Sequence, residues 1–102
     1  MKQYYTANIS KANIDLLYGI GYDEKISPTF ADAFDYIANK GLLIMVVPVK
    51  YPDEIVVRGR INLEQQQCRY FINGDQGQDY ICWTVAADAA IADACRKLLF
   101  EK

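Results

Sequence analysis

The sequence predicts an α+β domain: an antiparallel sheet of three to four strands with helices packed on one face, in the order α-α-β-β-β-(β)-α. Three observations predict it. Capped amphipathic segments stand at both ends of the chain, at ISKANIDLLYGI, TFADAFDYIANKG and TVAADAAIADACRKLLF. Between them lie the apolar run GLLIMVVPV and the alternating segment EIVVRGRINLE. An Asn-Gly pair then separates two further apolar segments, CRYFI and DYICW. Helices and strands are segregated along the chain rather than interleaved, which argues for an antiparallel sheet rather than a parallel one. At 102 residues, folding buries roughly 65% of the accessible surface, enough for one core, so residues 1–102 are read as a single domain.

In the first helix Ile9, Ala12, Leu16 and Ile20 recur at helical spacing, with Ser10 as N-cap and Gly19 or Gly21 as stop. Thr29 caps the second helix, and Asp32 three positions on completes a capping box with Asp in place of Glu. Phe30, Ala33, Phe34 and Ile37 line its buried face, and Gly41 ends it. The run Leu42 to Val49 is apolar on both parities, so one face of that strand packs under helices and the other asks for separate cover.

After the YPD turn, Ile55, Val57, Gly59, Ile61 and Leu63 alternate with Val56, Arg58, Arg60, Asn62 and Glu64, the pattern of a strand with one dry and one wet side. Asn73-Gly74 signals a hairpin between CRYFI and DYICW, with the later strand short. Thr84 caps the last helix, whose buried stripe is Ala87, Ile91, Ala94, Cys95 and Leu98. Asp88 near its start and Arg96 and Lys97 near its end suit the helix dipole.

Composition narrows the chemistry. The formal net charge is -2, which gives no overall pull toward nucleic acid or anionic lipid. There is no histidine, so Ser-His and Cys-His pairs and histidine-based zinc sites are excluded. Cys68, Cys82 and Cys95 form neither a C-x-x-C element nor an even set, and read as buried free thiols in a reducing cytoplasm. The eight tyrosines read mostly as residues of the core rim. MKQYYTANIS lacks the apolar centre of a signal peptide, and no apolar run is long enough to span a bilayer. A cytoplasmic protein without membrane contact is expected.

Three strings resemble a loose group of small uncharacterised proteins from bacteriophages and mobile elements of gut bacteria. They are ISKANIDLLYGIGYD, SPTFADAFDYIANKGLLIMV and TVAADAAIADACRKLL, with Tyr36 where that group often has tryptophan. The resemblance implies a phage or mobile-element origin and no particular activity.

Each constellation of reactive residue types has a plainer structural reading. NGDQGQD offers Asn73, Asp75 and Asp79 at alternate positions, as calcium loops do, but lacks their terminal Glu and glycine placement and reads as a hairpin turn. Asp32 and Asp35 sit near a helix start, and Asp88 and Asp93 diverge around a helix. Arg69 follows Cys68 directly, and neighbours on a strand face opposite ways, so it does not activate that thiol. No catalytic residue, cofactor or metal site is expected.

The expected function is that of a small non-enzymatic interaction protein that forms a homodimer. Its candidate surface is Met45, Val47, Arg58 and Arg60, where an apolar row of the GLLIMVVPV strand runs beside arginine stems. The alternative is a nucleic-acid-binding accessory domain in which Lys50, Arg58, Arg60 and Arg69 share one sheet face, with Tyr51 and Tyr70 as stacking residues. The start of the last helix, TVAAD, lacks the basic cluster that a double-stranded-RNA-binding domain places there.

Overall fold

The computed structural model describes residues 7–23, 27–49 and 66–100. Its elements are α1 (Lys11–Gly19), α2 (Phe30–Asn39), β1 (Ile44–Pro48), β2 (Cys68–Ile72), β3 (Asp75–Tyr80) and α3 (Trp83–Phe100). The order is α-α-β-β-β-α, and the three strands form an antiparallel sheet in the order β1-β2-β3. This is the α+β class the sequence predicts. The alternating segment EIVVRGRINLE, with Arg58 and Arg60, lies outside the described residues.

Both leading helices close on the same backbone device. In α1 the Tyr22 N–H reaches the Leu17 carbonyl at 3.0 Å and the Gly21 N–H reaches Tyr18 at 3.1 Å. In α2 the Leu42 N–H reaches Ile37 at 3.2 Å and the Gly41 N–H reaches Ala38 at 2.9 Å. These are Schellman closures, and they put Gly21 at φ 110° and Gly41 at φ 100°, where a side chain is strained. The expected capping box of α2 is present in both directions: Asp32 N–H to Thr29 Oγ1 at 3.2 Å, and Thr29 N–H to Asp32 Oδ2 at 3.0 Å.

The long helix α3 packs on all three strands and on both other helices. Ala86, Ala87, Ala90 and Ala94 are fully buried, and such small side chains let the helix lie close to the sheet. Trp83 is sealed at its start, edge-on to Phe30 at 5.3 Å and tilted against Phe34 at 6.1 Å. Phe30, Ala33 and Ile37 of α2 complete this part of the core, as the spacing predicts.

Three expectations need correction. In α1 the sealed residues are Asn13 and Leu17, while Ala12 is exposed and Leu16 half-buried. A polar clamp turns the helix: Asn13 Nδ2 donates to the Asp88 carbonyl at 2.8 Å and to its carboxylate at 2.9 Å, and the Ser10 N–H meets that carboxylate at 3.2 Å. Thr84 does not cap α3. The helix starts at Trp83, the Ala86 N–H already bonds the Cys82 carbonyl at 3.1 Å, and Thr84 sits inside the first turn. Finally, β3 is Asp75–Tyr80 rather than DYICW, because Asn73 and Gly74 both have positive φ and close a two-residue hairpin with Ile72 opposite Asp75. The polar DQGQ is therefore strand from its first residue.

Candidate interaction surface

Antiparallel register assigns every side chain of the sheet to a face. Ile44 stands opposite Ile72, Val46 opposite Tyr70 and Pro48 opposite Cys68. Ile44, Cys68, Tyr70 and Ile72 are buried, and Leu42 and Val46 pack against the same core beneath α3. The other parity pairs Met45 with Phe71 and Val47 with Arg69. Along this outer row Leu43 is 60% exposed, Met45 53% and Val49 39%, while Val47 and Phe71 are half-buried.

The remaining strand completes the outer face through an irregularity. Arg69 pairs with Asp79 and Phe71 with Gln76, so the single residue Tyr70 faces two, Gly77 and Gln78. In a regular strand Gln76 and Asp79 would point to opposite sides, since their positions differ by an odd number. The bulge brings both to the outer face. There Arg69 Nε donates to Asp79 Oδ1 at 2.6 Å, Nη2 to Oδ2 at 3.2 Å and Nη1 to Gln76 Oε1 at 3.3 Å. All three guanidinium nitrogens are thereby engaged, with three of the five N–H groups bonded. The hydrogen bond from Arg69 holds the Asp79 carboxyl below its ordinary range, and the same bond raises the Arg69 pKa.

On the inner side the bulge serves packing. A Cβ on Gly77 would fall inside the Tyr70 ring, so only glycine lets that ring cross beneath β3. Tyr70 stacks on Tyr80 with centroids 6.0 Å apart and donates its hydroxyl hydrogen to Asp93 Oδ2 of α3 at 3.0 Å. Burial first, and that carboxylate second, push the phenol up, so it keeps its proton throughout the neutral range.

Asn73 ties the hairpin to the start of β1. Its side chain accepts from the Leu43 N–H at 2.7 Å and donates to the Gly41 carbonyl at 3.0 Å, and its own N–H reaches the Leu43 carbonyl at 2.9 Å. The three thiols are free, with Cys68 and Cys95 buried and Cys82 half-buried. Burial pushes the Cys68 thiol up to about 11, with Cys82 nearby adding to it, and pushes Cys95 up to about 11 as well. Protonated thiols of this kind are poor nucleophiles at neutral pH.

Of the residues predicted for the surface, Met45 and Val47 lie side by side in chain parity on the outer face, and Arg58 and Arg60 lie outside the described residues with Lys50 and Tyr51. Arg69, named only for the nucleic-acid reading, sits on this face, but paired to Asp79. Tyr70 points the other way. Phe71, Gln76 and Asp79 were missed by sequence reasoning. Phe71 was legible from strand parity, whereas the bulge that brings Gln76 and Asp79 together has no signal beyond Gly77. Three of the other carboxylates have structural duties: Asp32 in its cap, Asp88 on Asn13, Asp93 on Tyr70. Among the described residues, no group of three metal-ligating side chains is assembled and no helix is long and apolar enough to cross a membrane.

Comparison of the chain with protein-family models, with curated proteins and with solved structures found no match.

Proposed function

We propose that the chain is a small non-enzymatic interaction protein that works in a reducing cytoplasm and self-associates through the outer face of its sheet. The exposed row Leu43, Met45 and Val49, continued by Val47 and Phe71, carries this reading. Polar-rimmed apolar rows of this kind mark contact surfaces. The occupant is read as a second copy because the described part of the face is electrically balanced. Its one described cation, Arg69, is neutralised by Asp79, so two copies meet around a twofold axis without like charges opposing. Among the described residues of this face a nucleic-acid backbone finds no unpaired cation, and an acidic or basic protein partner finds no net charge.

The extent of the face sets the strength. Three strands of five or six residues span about 17 by 14 Å, well below a standard specific interface, so the expected dimer is weak and transient, forming only toward the upper micromolar range. Sedimentation across micromolar concentrations tests the reading. Wild type should pass from monomer to dimer, and Met45→Lys should remain a folded monomer. A wild type that stays monomeric throughout overturns it.

A further inference from the structure

We infer that Cys82 is a peroxide-reactive thiol, and that the sealed carboxamide of Gln66 receives the oxygen its sulfur takes up. This modification site is independent of self-association and lies on the inner side of the sheet, at the start of α3.

Cys82 is the N-cap of an 18-residue helix. Its carbonyl accepts the Ala86 N–H at 3.1 Å, the first bond of α3, so its side chain stands where Ser, Thr or Asp usually meets the N–H groups that a first turn leaves over. The start of a helix favours partial negative charge at that point. The Thr84 hydroxyl lies 3.4 Å from the sulfur. Cys82 is half-buried whereas Cys68 and Cys95 are sealed, so it is the thiol that a small polar oxidant reaches.

An orphaned amide faces this thiol. Gln66 is 1% exposed, and neither its Nε2 nor its Oε1 has a hydrogen-bond partner, a costly state for a buried polar group. It shares strand parity with the buried Cys68 and Tyr70, on the side covered by α3. The Val49 N–H bonds the Gln67 carbonyl at 2.8 Å, which carries the ladder past Cys68. Cys68 pairs with Tyr80, and two residues further along each strand set Gln66 opposite Cys82. The Cys68 thiol joins the two: it donates to the Gln66 carbonyl at 3.5 Å, and Cys82 is near enough to add to the rise of its pKa. A thiol gives a carboxamide little to bond. A sulfenic acid supplies both an oxygen that accepts from Nε2 and an O–H that donates to Oε1. The step is a two-electron oxidation of sulfur by hydrogen peroxide. Cys82 Sγ attacks one peroxide oxygen, an S–O bond forms as the O–O bond breaks, and the thiol proton leaves with the displaced hydroxide as water.

The experiment treats the full chain with dilute hydrogen peroxide in the presence of dimedone, which traps sulfenic acids, and a second sample with iodoacetamide. Peptide mass spectra follow the rate at Cys82 in each. Dimedone adducts should accumulate at Cys82 and not at Cys68 or Cys95. In Gln66→Leu, which removes the amide and keeps apolar bulk, the ratio of the peroxide rate to the iodoacetamide rate should fall about three- to tenfold, the worth of one hydrogen bond. A change in exposure alone would move both rates together and leave the ratio as it was. Gln66→Met, unbranched and of similar length, gives the same reading where circular dichroism shows the leucine variant misfolded. No adduct at Cys82 of the folded wild type overturns the inference, and so does a ratio that holds its wild-type value once the amide is gone.

Discussion

The two faces of one strand divide the molecule more sharply than its elements do. Ile44 and Met45 are neighbours of similar volume, yet Ile44 is 8% exposed beneath α3 and Met45 is 53% exposed on the far side. Hydrophobicity does not separate them; parity does. On the inner face burial is matched by close packing, alanines against the sheet and the Tyr70 ring over Gly77. On the outer face a comparable apolar row is left beside an ion pair held in the surface. The lesson is that an unbroken apolar strand reports two demands, and the described helices meet only one of them.

The largest test of this contrast places one charge on either side. Ile44→Lys buries an ammonium without a partner and should cost about 3–5 kcal/mol, enough to unfold most of the chain in a denaturant titration. Met45→Lys should shift the same midpoint by no more than about 0.5 kcal/mol. Equal losses at both positions would erase the distinction between the faces.

Gly77→Ala probes the inner face from β3. Its methyl group must displace the Tyr70 ring, at a cost of about 1–3 kcal/mol. Tyr70→Leu, destabilising alone through lost packing and the lost bond to Asp93, should show a marked rescue in combination with Gly77→Ala. A double-mutant cycle without coupling would mean that the ring does not sit over the glycine.

Smaller effects are expected at the thiols, where Cys68→Ala and Cys95→Ala should each lower stability by about 1–3 kcal/mol without loss of the fold. Thiol titration of the native protein should accordingly label Cys82 first. Prompt labelling of all three would contradict their burial.

The two faces should also separate along the pH axis. With no histidine, stability should be nearly flat from about pH 6 to 8. Above that window the inner face responds. Cys68 and Cys95 stay protonated in the fold up to about 11, while in the unfolded chain they ionise near their ordinary 9.0, so stability falls as pH rises from one value to the other. On the acid side the outer face responds, because Asp79 is held below its ordinary value and its contribution, present above that value, is lost as pH falls through the lowered one. Urea midpoints measured from pH 2 to 11 would show both arms. Replacing Cys68 and Cys95 with alanine should weaken only the alkaline arm, leaving the part above about pH 10 that the raised Tyr70 phenol contributes, and Asp79→Asn should reduce only the acid one.

Much of this frame was readable from local chemistry. Thr29 with Asp32, Gly41, and Asn73 with Gly74 act within a few residues of themselves, so their caps and turns stand where the spacing puts them. The α2 stripe was legible for the same reason. The errors fall where a distant partner decides. Asn13 looks like a solvent-facing residue until Asp88, far along the chain, claims its amide and rotates α1. β3 carries no alternation because an edge strand is polar on most sides, and its bulge depends on a tyrosine from the next strand. Of the surface, Met45 and Val47 were legible as a row, but not which parity would lie outward, since that depends on where α3 packs.

The bulge in β3 has a bearing on how far assembly can run. A flat, apolar edge strand would invite further strands to add laterally, one chain after another, as in fibrils. β3 instead presents Asp75, Gln76, Gln78 and Asp79, interrupted by a glycine and a step in its ladder. A newcomer approaching that edge meets charge and a broken row of hydrogen-bonding groups. Growth on that side of the sheet is thereby capped, and the exposed apolar surface of the described sheet is confined to its outer face.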